Sequence, residues 1–303
     1  MSLIHALVLG ITQGLAEYLP ISSSGHLRLV PWLFGWDDFA GHKDLELAFD
    51  VSLHLGTLIG ATAYFRKDIV RLARGAVHVL RSRRSPVPVG ASETAVRPVP
   101  EDVRDPILHM TPADDGRLAW LLLLSAIPAA AIGAVLEGFF NDVGEMEWLI
   151  GVFLIVFGLV LLWADRLGGR RGADQFRVAD ALTLGTAQAL ALAPGVSRSG
   201  ATITAARWRG FSRDAAARVS FLMSLPITGG AVAFEMADMF TSGGIPPGFG
   251  GALIVGILAS AVTGWVAVWG TLYLVRTRTF FPFVVYRVLA GTAVILVAAS
   301  SFR

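Results

Sequence analysis

Two short stretches carry the residue types that could do chemistry. One runs Pro194-Gly-Val-Ser-Arg-Ser-Gly-Ala-Thr202; the other runs from Glu17 through Pro20-Ile-Ser-Ser-Ser-Gly to His26. Both lie between apolar runs, where a charge is costly and marks a functional site by default. Arg198 offers a planar, five-donor fork matched to phosphate oxygens. Ser197, Ser199 and Thr202 add hydroxyls, while Gly195 and Gly200 let the backbone turn tightly and present its own N–H groups. In the other stretch Ser22, Ser23 and Ser24 supply hydroxyls, and His26 is an acid–base group suited to neutral pH. Glu17 and Gln13 stand one turn apart on one helix face. One carboxylate and one carboxamide make a poor cage for a transition metal; they suit Mg²⁺ or Ca²⁺ completed by water and phosphate oxygens.

The elements that position these residues are related by an internal repeat. Shifting the chain by 175 positions lays Gly10–Gly25 on Gly185–Gly200 with seven of sixteen pairs identical. Gln13/Gln188, Ser22/Ser197, Ser24/Ser199 and Gly25/Gly200 are among them. Weak symmetry of this kind marks a duplicated membrane fold with broken helices. The apolar runs around each stretch are too short to span about 30 Å of hydrocarbon, so each pair predicts a re-entrant helix-loop-helix hairpin, at 1–35 and 178–210. Six longer runs can cross: about 47–65, 118–138, 147–164, 218–238, 250–275 and 281–300.

The fold expected is therefore an all-α polytopic membrane protein in a single domain, 1–303. Repeat 1 covers about 1–138 and repeat 2 about 147–303. The composition agrees: 54% hydrophobic, 16% charged and a mean hydropathy of +0.62. A net charge of only +2 argues for no nucleic-acid partner, and the absence of cysteine excludes disulfides and thiol catalysis. Met-Ser-Leu-Ile-His lacks a charged leader and reads as mature sequence. Twenty of the 25 basic residues fall in 66–117, 165–177, 207–218 and 276–278. By the positive-inside rule that side is cytoplasmic, with 66–117 a Pro-rich cytoplasmic loop. The two hairpins then enter from opposite faces, which makes the halves inverted-topology repeats whose loops meet near the midplane. His54 reads as a hydrogen-bonded structural histidine, and Arg287 fits either a packing ion pair or a cavity charge.

These residues resemble the undecaprenyl-diphosphate phosphatase family, known also as the bacitracin-resistance proteins. The marks are Gln13-x-x-x-Glu17 running into Ser22-Ser-Ser-Gly-His26, Pro194 to Thr202, and Phe281-Pro-Phe-Val-Val-Tyr-Arg287. The resemblance covers essentially the whole chain except about 81–117. It implies hydrolysis of a C55 polyprenyl diphosphate to the monophosphate and phosphate, recycling the carrier lipid for peptidoglycan. It also implies divalent-cation dependence, an active site facing outside a bacterial inner membrane, and competition with bacitracin for substrate. The family's catalytic positions fall on Glu17, Ser23, His26 and Arg198; either Ser23 or water could attack. Membrane lipids are expected partners and a homodimer is compatible. The rival reading is a polyprenyl-phosphate transporter or flippase, since inverted repeats with broken helices are a transporter architecture. The other membrane lipid-phosphatase superfamily needs a further downstream His, and no histidine follows His109.

The orientation is testable directly. Cysteines replacing Ser2 and Ser242 should label in intact cells, and one replacing Ser92 only after permeabilisation. Labelling of position 92 in intact cells would reverse the topology.

Overall fold

Capping residues set where the helices begin and end. In the computed structural model, which describes residues 1–39, 42–82, 110–144, 146–241 and 248–300, Ser2 accepts the His5 N–H and starts α1, Leu3–Tyr18. Ser22 caps α2, Ser23–Phe34, which stops at Gly35 in the left-handed conformation. α3 runs unbroken from Lys43 to Ser82. A reciprocal Thr111–Asp114 capping box with proline in the first turn opens α4, Pro112–Leu124, and only Ser125 separates it from α5, Ala126–Gly144. α6 is Glu147–Arg166, α7 Val178–Ala189, α8 Arg198–Trp208, α9 Arg213–Thr241, α10 Gly250–Thr277 and α11 Phe281–Ala299. The shift of 175 relates Leu3 to Val178 and Ser23 to Arg198, so α1 and α7, and α2 and α8, start at equivalent positions.

Five stretches are long and apolar enough to cross a membrane: Pro112–Leu136, Glu147–Arg166, Arg213–Ala237, Gly250–Thr277 and Phe281–Ala299. They coincide with five of the six expected crossings. The sixth, 47–65, lies inside α3, whose apolar half also carries Asp50 and His54. The expected loop 66–117 is helical at both ends, since α3 continues to Ser82 and α4 begins at Pro112; residues 83–109 lie outside the described residues.

The hairpins are seated reciprocally. α1 of the first packs along α10, while α7 of the second packs against α4 and α5. Small residues allow the close approach, as is usual between apolar helices in lipid. A carbon added at Gly10 would lie 2.7 Å from the Gly256 carbonyl, and one at Gly14 would lie 2.7 Å from that of Ser260. At the basic end the second hairpin is tied by charge. Asp180 in the first turn of α7 takes hydrogen bonds from Arg171 and Arg209, at 3.1 and 2.7 Å on one oxygen. Burial would raise this carboxyl, but those hydrogen bonds hold it below the usual range.

Gly56 on α3 meets α10 so closely that an added carbon would overlap Ser260 Oγ and the Ile257 carbonyl, whereas Gly230 faces open space. Gly56→Ala should destabilise the protein by about 1–3 kcal/mol, read as a lowered melting temperature in detergent. Gly230→Ala should leave it unchanged or slightly raised. Equal behaviour of the two would contradict the packing.

Candidate active site

The turns preceding α2 and α8 share an uncommon backbone. Ser22 and Ser197 have φ of 78° and 77°, the two non-glycine residues with positive φ among the described residues. Such a conformation costs roughly 1–2 kcal/mol in an L-residue. Part of the return is local: the hydroxyl of each serine accepts an N–H three residues on, from Gly25 at 3.4 Å and Gly200 at 3.1 Å. The rest is tertiary. Ser22 Oγ also accepts the Gly195 N–H at 3.0 Å, and Ser199 Oγ donates to the Leu19 carbonyl at 3.1 Å, so each turn holds the other. Gly195 has φ +96°, and an added carbon would stand 2.6 Å from the Ile150 carbonyl; no other residue fits there.

Arg287 of α11 closes the frame. It is fully buried. It donates to the carbonyls of Pro20 at 3.0 Å, Gly195 at 2.9 Å and Val196 at 3.0 Å, and to Leu154 and Phe153 of α6 at 2.9 and 3.3 Å. It is thus neither the ion pair nor the cavity charge expected from sequence, but a clamp on both turns.

Glu17, Ser23 and Arg198 stand on this frame. Glu17 Oε1 receives Arg198 Nη2 at 2.6 Å. Its Oε2 receives Ser23 Oγ at 2.6 Å and Gln13 Nε2 at 3.0 Å. One carboxylate therefore bridges a hydroxyl from the first hairpin and a guanidinium from the second. Glu17, Ser23, Ser24, Ser197 and Arg198 line a cavity of about 320 Å³. Its other walls are mostly apolar, including Val51, Leu192, Ile227 and Val232, and α2 and α8 start at its edge. Hydroxyls, a guanidinium and two helix N-termini make an anion site; the apolar walls suit a hydrocarbon chain.

Other expected site residues lie behind the cavity wall. Ser22, Ser199, Gly195 and Gly200 build the turns. Thr202 is fully buried, with its hydroxyl on the Arg198 carbonyl at 2.9 Å and on Ser220 Oγ at 2.6 Å. His26 differs most from expectation. Its Nδ1 meets the Ser22 carbonyl at 2.6 Å and its Nε2 the Tyr286 hydroxyl at 2.6 Å, so both ring nitrogens are engaged away from the cavity lining. The helical turn carries the residue four positions past Ser22 round toward α11. The histidine in the cavity is His54, with Nε2 3.8 Å from Glu17 Oε2 and Nδ1 2.8 Å from the Asp50 carbonyl. That second bond is the structural contact expected of it. Its nearness to Glu17 follows from how α3 packs, which no local pattern signals.

The family model for bacitracin resistance protein BacA matches residues 6–293. The chain belongs to the BacA family. Among relatives, the undecaprenyl-diphosphatase of Pelobacter propionicus is 44% identical over 299 residues, covering 98% of this chain and 97% of that protein. The one from Geobacter metallireducens is 43% identical over 98% of both chains. The one from Nocardioides sp. is 40% identical over 98% of this chain and 97% of that protein.

In this BacA family member the expected cation pair does not form a cage. Both Glu17 oxygens already accept hydrogens from Arg198, Ser23 and Gln13, and the Gln13 carbonyl oxygen is buried without a partner. A guanidinium at 2.6 Å is a poor neighbour for a divalent ion. Among the described residues no three His, Asp or Glu side chains cluster as metal ligands would.

Arg287→Lys keeps the charge but not the fork, and leaves several buried carbonyls without donors at about 1–3 kcal/mol each. Its melting temperature should fall well below that of Arg278→Lys, a change at an exposed position. Equal melting temperatures would remove the clamp from the account.

Proposed function

We propose that this protein hydrolyses undecaprenyl diphosphate to undecaprenyl phosphate and inorganic phosphate. The observation that carries this is the Ser23–Glu17–Arg198 chain, with 2.6 Å at each link, facing a cavity with polar and apolar walls. Relatives 40–44% identical bear the name undecaprenyl-diphosphatase. Transport would need an anion site but gives no reason to seat a serine hydroxyl on a carboxylate, which is how a nucleophile is paired with its base.

The chemistry runs as follows. The terminal phosphate binds Arg198 and the first N–H groups of α2 and α8, drawing the guanidinium off Glu17. Ser23 Oγ then attacks phosphorus and its proton passes to Glu17 Oε2. The bridging P–O bond breaks, and undecaprenyl phosphate leaves with the bonding pair. Water next attacks the phosphoserine and the Oγ–P bond breaks; Ser23 Oγ takes back the proton held on Glu17, and the phosphate leaves as dihydrogen phosphate carrying both protons of the water. Arg198 balances the charge on the equatorial oxygens in both steps. His26 is a positioning residue in this scheme, fastening the start of α2 to Tyr286. Mg²⁺ or Ca²⁺ would be held by phosphate oxygens and water rather than by a protein cage.

The same reading extends to the membrane. α1–α2 and α7–α8 are proposed as re-entrant hairpins, because at 16 and 12, and 12 and 11 residues, no helix among them reaches about 30 Å. α3 is proposed as the sixth crossing, its Asp50 and His54 turned to protein rather than lipid. The inverted arrangement is supported by the reciprocal seating of the hairpins. The cavity is proposed to open to the outside of the bacterial inner membrane.

Phosphate release from undecaprenyl diphosphate by purified protein tests the assignment. Ser23→Ala should lose on the order of 10⁴-fold or more in kcat, and acid quench of the wild type should find phosphate on Ser23. Arg198→Lys should lose about 10²–10³-fold. Measurable turnover by Ser23→Ala with no phosphoprotein would make water the nucleophile. Near-normal turnover by the Arg198 variant would end the assignment.

A further inference from the structure

The basic half of α3 is not used by the reaction. At 40 residues this helix is about 60 Å long, twice the hydrocarbon thickness, and its apolar part ends at Phe65. Beyond it Arg66, Lys67, Arg71, Arg74, His78 and Arg81 recur at three- and four-residue spacing, which gathers them on one side. The helix is pressed onto the start of α4, where Gly75 and Gly116 meet with no room for a side chain. Between the two helices lies a groove of about 730 Å³ lined by Arg66, Lys67, Arg71, Arg74 and His78, and a second recess continues past Val77 to Arg81.

Two features distinguish this groove from an ordinary solvated face. Its carboxylates are already engaged: Asp115, in the groove wall, lies 3.1 Å from Arg71, and nearby Asp68 lies 3.3 Å from Arg71 and 3.5 Å from Arg218. Among the described residues no ion pair joins a carboxylate to Arg66, Lys67, Arg74 or Arg81, so the groove has excess positive charge. Apolar side chains also stand exposed along the same turns, with Val70, Val77 and Leu80 each about half accessible. Cations directly beyond an apolar segment, interleaved with exposed aliphatic groups, complement a molecule that is anionic at one end and hydrocarbon at the other.

We propose that the α3–α4 groove is a binding site for the headgroup of an anionic glycerophospholipid. The phosphodiester lies among Arg66, Lys67 and Arg74, and the acyl chains run back along the apolar turns that end at Phe65, into the bilayer. Bound lipid would also add to the α3–α4 contact beside Gly75–Gly116 and the Arg71–Asp115 pair, and so stabilise the folded protein. The site is separate from the Glu17–Ser23–Arg198 cavity, with which it shares no residue.

The test uses the full chain in an uncharged detergent. Its melting temperature is followed while dioctanoyl phosphatidylglycerol, dioctanoyl phosphatidylcholine or inorganic phosphate is added. Phosphatidylglycerol should raise it saturably, and the other two should not over the same range. Arg66→Gln with Arg74→Gln should weaken the apparent affinity about thirtyfold, at the usual contribution of a basic residue near an anionic lipid surface. Arg278→Gln, at an exposed position elsewhere, should leave it intact. If the double variant unfolds without lipid, Lys67→Gln alone should weaken the affinity about fivefold. An equal response to phosphatidylcholine, an equal response to phosphate alone, or an unchanged affinity in the variants overturns the proposal.

Discussion

A fully buried guanidinium hydrogen-bonded to carbonyls is the interaction on which this architecture turns. Breaking a helix inside an apolar environment frees backbone carbonyls that have no water to bond, and each left unpaired costs more than a hydrogen bond gains. The two broken hairpins meet back to back, so their freed carbonyls point into one small space. Arg287 fills it with a rigid donor fork that reaches Pro20 from one turn and Gly195 and Val196 from the other. Lysine has the charge but not the simultaneous reach. The cost of burying the cation is offset by five oxygen dipoles, and its field makes the neighbouring cavity more favourable for an anion.

With the turns clamped, the two serines in left-handed backbone become affordable. Ser22 and Ser197 spend conformational energy to cap α2 and α8 and, through Ser22 Oγ and the Gly195 N–H, to lock the hairpins in register. Most of the conspicuous hydroxyls and glycines therefore serve the frame. Two of the position pairs at which the repeats differ line the cavity. Ser23 of the first hairpin matches Arg198 of the second, and Glu17 matches Leu192. All four line the same cavity. Duplication supplied the symmetric frame, and divergence at two pairs of positions set a hydroxyl and a carboxylate on one side, a guanidinium and an apolar side chain on the other.

The histidines show how little separation decides a role. His26 follows the serine turn by two residues, yet 100° per helical residue takes its ring toward α11 and Tyr286. His54 lies 37 positions from Glu17 in sequence, yet the packing of α3 sets it 3.8 Å from that carboxylate. A polar side chain near a motif is thus not necessarily in the site, and one far from any motif can be.

What the sequence by itself determined is whatever local pattern and repetition encode. Hydropathy located, among six expected crossings, the five helices that are long and apolar enough to cross a membrane, and the 175-residue shift located two equivalent broken hairpins before any contact was known. The residue types in those hairpins gathered Glu17, the three serines 22–24, His26, Ser197, Arg198, Ser199 and Thr202 into one expected site, and the family resemblance picked out Glu17, Ser23, His26 and Arg198 among them. Only the tertiary structure decided which hydroxyls face the cavity and which close the turns. It also decided that Glu17 accepts hydrogen bonds from Gln13, Ser23 and Arg198 at once, and that Arg287 grips carbonyls rather than a carboxylate. The physical reason is common to all three. Each depends on which lone pairs and donors are left over once the helices have packed, and that remainder is set by contacts across the fold rather than by spacing along the chain.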